Sequence, residues 1–235
     1  MNILALETST DACSVAIMSG PALFEVHELA PRQHTDLLFV MIERALAEAG
    51  IGRGALDLIA FGCGPGAFTG VRIAAGVAQG IALACDLPLA PVSTLAALAA
   101  GGARLHGGRQ VLAALDARRD EIYLAALRFD DDGDVGQRVL ADCVLAPQDV
   151  SIAAPAQWLA VGNGWPIYHA RFAPAIAAIP RAPLLHPHAL DVARLGAALH
   201  RRGGSVAVAD ALPMYLRGAV DCGPRGAARA EISGD

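Results

Sequence analysis

A chain of 235 residues that is 54% hydrophobic and only 17% charged has ample material for a buried core, as one large domain or as two lobes of about 100 residues each. With 18 basic against 23 acidic side chains and a net charge of −5, it lacks the positive excess of a protein that grips RNA unaided, so a nucleic-acid role calls for a partner that supplies the positive surface. The cysteines Cys13, Cys63, Cys85, Cys143 and Cys222 are odd in number and form no C-x-x-C pair, which argues against a zinc ribbon or a disulfide framework and for a reducing compartment.

The opening residues have no basic segment and meet an acid at Glu7, unlike a signal peptide. The longest apolar stretch, 73–85, is interrupted by Gln79 and two glycines and reads as too short for a bilayer, so a cytoplasmic protein is expected. Residues 3–6 and 14–18 predict two strands joined by a polar turn, and 22–27 a third strand after Gly20-Pro21. A helix fits 35–49, with Thr35 at its N-cap and Gly50 as its stop. Then come a strand over 58–61, a glycine-dense turn, a helix over 71–84 and a short strand over 89–92. Ser93 caps an alanine-rich helix expected to end at Gly101-Gly102. The order is β-β-β-α-β-α-β-α.

Residues 101–108 read as a lobe boundary, dividing the chain into an N-terminal lobe, 1–105, and a smaller C-terminal lobe, 106–217. The pattern then restarts: a strand over 112–115, a turn over 116–120 and a strand over 122–127. Superimposing the two starts places Glu7 on Asp116, Asp11 on Asp120, Leu6 on Leu115 and Val15 on Leu124, an internal repeat. Residues 130–134 predict a solvated hairpin tip, 158–161 a strand, and Gly162-Asn163-Gly164 a turn into a short helix. A helix over 187–202 is stopped by Gly203-Gly204, and 218–235, without periodicity, predict a disordered tail.

Four features bear on chemistry. The turn Glu7-Thr8-Ser9-Thr10-Asp11 joins two strands with hydroxyls and acids, as nucleotide-binding folds do to hold a phosphate and its metal; Glu7, Thr8, Ser9 and Asp11 are the candidates, and a polar hairpin turn is the alternative. The stretch Phe61-Gly62-Cys63-Gly64-Pro65-Gly66-Ala67-Phe68-Thr69-Gly70-Val71-Arg72-Ile73 is a glycine turn between a strand and a helix. It has no Lys-Ser/Thr of a Walker loop, and Asp86 precedes the next strand instead of ending it, which excludes a dinucleotide site. Anion contact and tight backbone packing both remain open for it. The histidines form no H-x-x-x-H, no G-x-S-x-G occurs, and no metal site is expected; Cys63 reads equally as a small buried hydrophobe or a reactive thiol. Finally, the helix over 35–49 has an unbroken apolar run at 37–42, and the next has Gly76 and Gly80 four apart. These helices are either wholly buried or offer a second face to another chain, through Leu37, Leu38, Phe39, Met41, Val71, Gly76 and Gly80.

Taken together, Leu4-Ala5-Leu6-Glu7-Thr8-Ser9-Thr10, Gly64-Pro65-Gly66-Ala67-Phe68-Thr69-Gly70-Val71-Arg72-Ile73, Pro91-Val92-Ser93-Thr94-Leu95-Ala96-Ala97-Leu98, Asp116-Ala117-Arg118-Arg119-Asp120-Glu121-Ile122-Tyr123 and Pro213-Met214-Tyr215-Leu216-Arg217 resemble the TsaB (YeaZ) family over residues 1–217. The resemblance implies an α/β, two-lobed actin-like ATPase fold of the sugar kinase, Hsp70 and actin kind, with a reduced second lobe. It implies a part in making N6-threonylcarbamoyladenosine (t6A) beside the tRNA anticodon, as a non-catalytic subunit pairing with the transferase TsaD and working with TsaE. It also implies tRNA reached through the complex and no cofactor of its own, with ATP or ADP at the partner boundary; the apolar helix face, left without TsaD, is expected to pair with itself as a homodimer. TsaD carries two metal-binding histidines where this chain has Thr94 and Leu98, and Arg118-Arg119 stand where a kinase offers small residues. The competing reading is an independent ATP-dependent kinase or hydrolase of the same fold, using Glu7, Thr8 and Asp11. A metallopeptidase is disfavoured by the missing ligands.

Overall fold

The computed structural model describes residues 1–130, 135–217 and, for backbone only, 230–232. The chain divides into two units, Met1–Ala97 with Pro187–Met214, and Leu98–His186 with Tyr215–Asp235.

The first unit is built on a five-stranded sheet in the order β3-β2-β1-β4-β5. Its strands are β1 (Asn2–Glu7), β2 (Ala12–Ser19), β3 (Ala22–Leu29), β4 (Leu58–Gly64) and β5 (Leu89–Ser93). β1 and β2 form an antiparallel hairpin in which Leu6 faces Val15, β3 continues it antiparallel, and β4 runs parallel to β1. Successive side chains of a strand point to opposite faces. Accordingly Leu4 and Leu6 enter one core with α1 (His34–Ala49) and α2 (Phe68–Cys85), while Ile3 and Ala5 enter another with a late helix, 189–201. Because both faces are covered, the central strands read as continuous apolar runs rather than alternating ones.

The second unit has a four-stranded sheet, β10-β6-β7-β8, from β6 (Gln110–Arg118), β7 (Glu121–Arg128), β8 (Gln137–Leu145) and β10 (Leu159–Val161). A short pair, β9 (Val150–Ile152) and β11 (Ala230–Ile232), runs parallel. The small helices α4 (Gly164–Ile167) and α5 (Pro174–Ala177) complete the unit. Trp158, Trp165 and Phe172 anchor its core; Trp165 donates its indole N–H to the Leu112 carbonyl at 3.3 Å and stacks on Phe172 at 4.7 Å. β6 and β7 are antiparallel, β7 and β8 antiparallel, β6 and β10 parallel, repeating the pairing of β1 with β2, β2 with β3, and β1 with β4. This repetition is the doubled α/β lobe of the actin-like fold, and it is what the superposition of Glu7 on Asp116 detects.

Three expectations are corrected, and one falls mostly outside the described residues. The helix α3 (Thr94–His106) runs through Gly101-Gly102 and ends before Gly107, whose φ is 68°; Gly102 is there because a Cβ would sit 2.8 Å from Val161. Residues Pro187–Met214 belong with the first unit rather than the second, because α6 (Ala189–Arg201) packs on β1, β2, β4 and β5. At 18 residues, α2 is long and apolar enough to cross a membrane by length and composition, contrary to the reading of 73–85; a third of it is buried, with Ala74, Ala75, Ala78 and Ala82 in the first unit's core. The tail 218–235, expected to be disordered, lies outside the described residues apart from 230–232, which form β11; of the hairpin tip, 131–134 lie outside them.

Candidate functional site

The turn after β1 is where the fold would hold a phosphate, and here it is closed. Glu7, Thr8 and Ser9 are at most 1% exposed and Thr10 is 8% exposed; of the sequence candidates only Asp11 reaches solvent. The glycine turn fills the space above them. A Cβ on Gly62 would overlap the Glu7 carboxylate, one on Gly66 would lie 2.5 Å from the Ser9 carbonyl, and one on Gly70 would overlap the Thr8 carbonyl. Of the two readings left open by sequence, tight backbone packing therefore accounts for these glycines. The amide of Ala67, at the start of α2 where an anion would bind, donates instead to the Ser9 carbonyl at 2.7 Å.

The polar atoms in this turn satisfy one another. Thr8 donates its hydroxyl to the Gly70 carbonyl at 2.8 Å. One oxygen of Glu7 accepts the Ser9 amide at 2.7 Å together with the Ser9 hydroxyl, and the other accepts the Thr94 hydroxyl at 3.3 Å. Burial pushes the Glu7 carboxyl above its ordinary range, against the lowering effect of these hydrogen bonds. Thr94 and Leu98, standing where TsaD has its histidines, are both fully buried. Cys63 is buried beside this turn, and its carbonyl accepts the Met214 amide at 2.7 Å. Burial, with the charges of Glu28 and Glu7, pushes the Cys13 thiol up to about 12.

The corresponding turn of the second unit is open. Arg118, Arg119 and Asp120 are exposed, with φ of 61°, 54° and 63°, three left-handed residues in succession without a glycine. The turn is held from below. Asp116 accepts the Arg118 amide at 2.8 Å and the Tyr168 hydroxyl at 2.8 Å, and it pairs with the Arg118 guanidinium at 3.0 Å. Arg217 donates to the Ala117 carbonyl at 2.9 Å and the Arg118 carbonyl at 3.2 Å and pairs with Glu121. Burial and the Asp116 carboxylate push Tyr168 up to about 12.

The residues proposed from sequence as a partner surface divide into two sets. Leu38, Met41 and Val71 are at most 2% exposed and turned into the unit's own core, so the helix period removes them from any docking face. Leu37 is half-buried, whereas Phe39 is 55% exposed and Gly76 and Gly80 lie at the surface, where a Cβ would meet nothing within 4 Å. Phe39, Gly76 and Gly80, with Ile42, Val77, Ile81, Ala84 and Cys85 and the charged pair Glu43 and Arg53, line a groove of about 380 Å³ between α1 and α2. Val40, Phe68 and Leu83, which sequence reasoning did not select, are also exposed on these helices, and Arg72 lies 3.6 Å over the Phe68 ring. The signal for Val40 was the unbroken run at 37–42; for Leu83 it was its place one turn beyond Gly80.

A sequence profile of the family described as "TsaD: tRNA N6-adenosine threonylcarbamoyltransferase" matches residues 26–183. The tRNA threonylcarbamoyladenosine biosynthesis protein TsaB of Escherichia coli is 37% identical, over 92% of this chain and 95% of that protein. Its namesake from Haemophilus influenzae is 35% identical, over 94% and 95%. Among solved structures, YeaZ from Pseudomonas aeruginosa superimposes with a TM-score of 0.85 at 40% identity, covering 92% of this chain and 99% of that one.

Proposed function

The chain belongs to the TsaB (YeaZ) family and so serves t6A biosynthesis on tRNA, and we propose that it does so as a non-catalytic subunit that pairs with TsaD through the face of α1 and α2. The observation that carries this reading is the closed turn at Glu7-Thr8-Ser9. Backbone from the glycine motif packs directly on this turn, and the side-chain polar groups of Glu7, Thr8 and Ser9 are engaged within the protein. The Ala67 amide and the Glu7, Thr8 and Ser9 side chains would each have to leave a present partner to meet a phosphate, which speaks against Mg-ATP binding here. The chain therefore holds no nucleotide of its own, and ATP or ADP in the complex sits at the boundary with TsaD.

The α1–α2 face supplies what a partner needs. Phe39, Val40 and Leu83 expose apolar surface, and Gly76 and Gly80 leave a strip along which a helix can approach closely. TsaD is the natural occupant, since a paralogue of the same fold presents matching helices; TsaE joins the pair, and tRNA is reached through the assembly. Without TsaD the same face pairs with a second copy of this chain. Phe39→Asp places a charge in the seam while leaving the core untouched. Light scattering of the mixed purified proteins is expected to show the pair with the wild type and its loss with the variant. Undiminished pairing by a folded Phe39→Asp protein would overturn this docking face, and tight Mg-ATP binding with turnover by the isolated chain would overturn the non-catalytic reading.

A further inference from the structure

The edge strand β3 and the start of α6 bring together a group of side chains unrelated to the closed turn or the α1–α2 groove. Glu25 and His27 are two apart on β3 and so project on the same side. His188 is the N-cap residue of α6. One donor atom from each of the three lies within 4.8 Å of the other two, and all three residues are partly buried. We propose that Glu25, His27 and His188 form a binding site for a divalent transition-metal ion of the zinc class, which ties β3 to the helix that returns to the first unit.

Three observations carry this. The donor set of two imidazoles and one carboxylate is what borderline ions such as zinc select, with room left for solvent in the remaining positions. The Glu25 Oε2 and His188 Nδ1 atoms are 2.9 Å apart. At a tetrahedral ion with bonds of about 2.1 Å, ligand atoms stand about 3.4 Å apart, so these two open by roughly 0.5 Å as the ion replaces their hydrogen bond. The carboxylate is also oriented from behind. Its Oε1 accepts the Ser14 hydroxyl at 2.9 Å and the Leu190 amide at 3.0 Å, and Ser14 is itself fixed by the Ala189 amide at 3.0 Å. One oxygen is thus anchored and the other aimed at the histidines, the arrangement in which outer hydrogen bonds hold a metal ligand in place.

One movement is required. The imidazoles of His27 and His188 are stacked, with centroids 4.1 Å apart and planes 13° apart. Parallel rings cannot direct both in-plane lone pairs at one ion, so His27 turns out of the stack on loading, and the ion takes the place of the proton between His188 and Glu25. The structural alternative, a stacked pair closed by an ion pair, makes a different prediction for His27→Phe. That variant keeps an aromatic ring against His188 and removes the donor.

The test uses the full chain, stripped with a chelator and titrated with Zn²⁺ in competition with a chromophoric chelator, with thermal unfolding as a second readout. The wild type is expected to bind one saturable equivalent and to melt at a higher temperature when loaded. His27→Phe and Glu25→Gln are each expected to weaken binding at least about tenfold and to abolish the thermal shift, as loss of even an outer-sphere partner does at such sites. His200→Ala, outside the cluster, is expected to bind as the wild type does. Absence of saturable binding, or binding that His27→Phe leaves unchanged, would overturn the site.

Discussion

The two units start from one plan and finish it in opposite ways. In the first, the hairpin turn at Glu7-Thr8-Ser9 is buried beneath glycines, and its hydroxyls and carboxylate bond to one another. In the second, the turn at Arg118-Arg119-Asp120 is exposed, carries large side chains in left-handed conformations, and is braced from below by Asp116, Tyr168 and Arg217. A kinase of this architecture needs both turns open and small, to grip phosphates from two sides. Here one turn is packed beneath backbone and the other carries large exposed side chains, so the two halves of the repeat depart from that pattern in different ways.

The sharpest way to break this comparison is to change one side chain at each turn. Gly70→Ala forces a methyl group into the Thr8 carbonyl and is expected to cost about 3 kcal/mol or more in urea unfolding, because backbone cannot move aside. Arg119→Ala, in the open turn, is expected to stay within about 0.5 kcal/mol of the wild type. Equal costs would mean that the two turns are equally packed. Next in size is Glu7→Ala, which leaves the Ser9 amide and the Ser9 and Thr94 hydroxyls without their buried acceptor and is expected to cost about 1–3 kcal/mol.

The same residue fixes a pH dependence. Because burial raises the Glu7 pKa, the folded chain holds this proton at pH values where the unfolded chain has released it. Stability from Glu7 is therefore greatest below the ordinary carboxylate value and falls as pH rises through the raised one. Glu7→Gln lacks this slope, so subtracting its urea midpoints from those of the wild type across that window should leave a difference that moves against the wild type with increasing pH. A constant difference would show that Glu7 does not titrate there. In the second unit, Arg217→Ala removes the brace beneath the open turn at a half-exposed site, and about 1 kcal/mol is expected in the same unfolding assay. The smallest effect is spectroscopic: in an alkaline absorbance titration Tyr168 should ionise near its raised value of about 12, and Asp116→Asn should bring that step down.

Much of the first unit was legible because its elements are punctuated: Gly50 stops α1 with φ 67°, and the Ser93 hydroxyl accepts the Ala96 amide at 3.1 Å to cap α3. The second unit was harder to read because its edge strand β8 has mixed exposure and register shifts against β7, which erase the alternation of a half-buried strand. At the site, sequence supplied Glu7, Thr8 and Ser9 and the glycines but left their relation open, since whether a glycine faces an anion or another backbone depends on residues more than fifty positions away, as Thr8 and Gly70 are. The apolar run at 37–42 announced a second face on α1, but only the helix phase separates Phe39 and Val40, outside, from Leu38 and Met41, inside. Glu25, His27 and His188 could not be grouped from sequence, because the fold alone brings the start of α6 back to β3.

The central claim is that this chain contributes a surface and no chemistry. Reconstituted t6A formation on tRNA, with every other component present, tests it most directly when the subunit is supplied as wild type, as Phe39→Asp, or left out. The account predicts full rate with the wild type and a collapse in both other cases. An undiminished rate with the subunit omitted would contradict it.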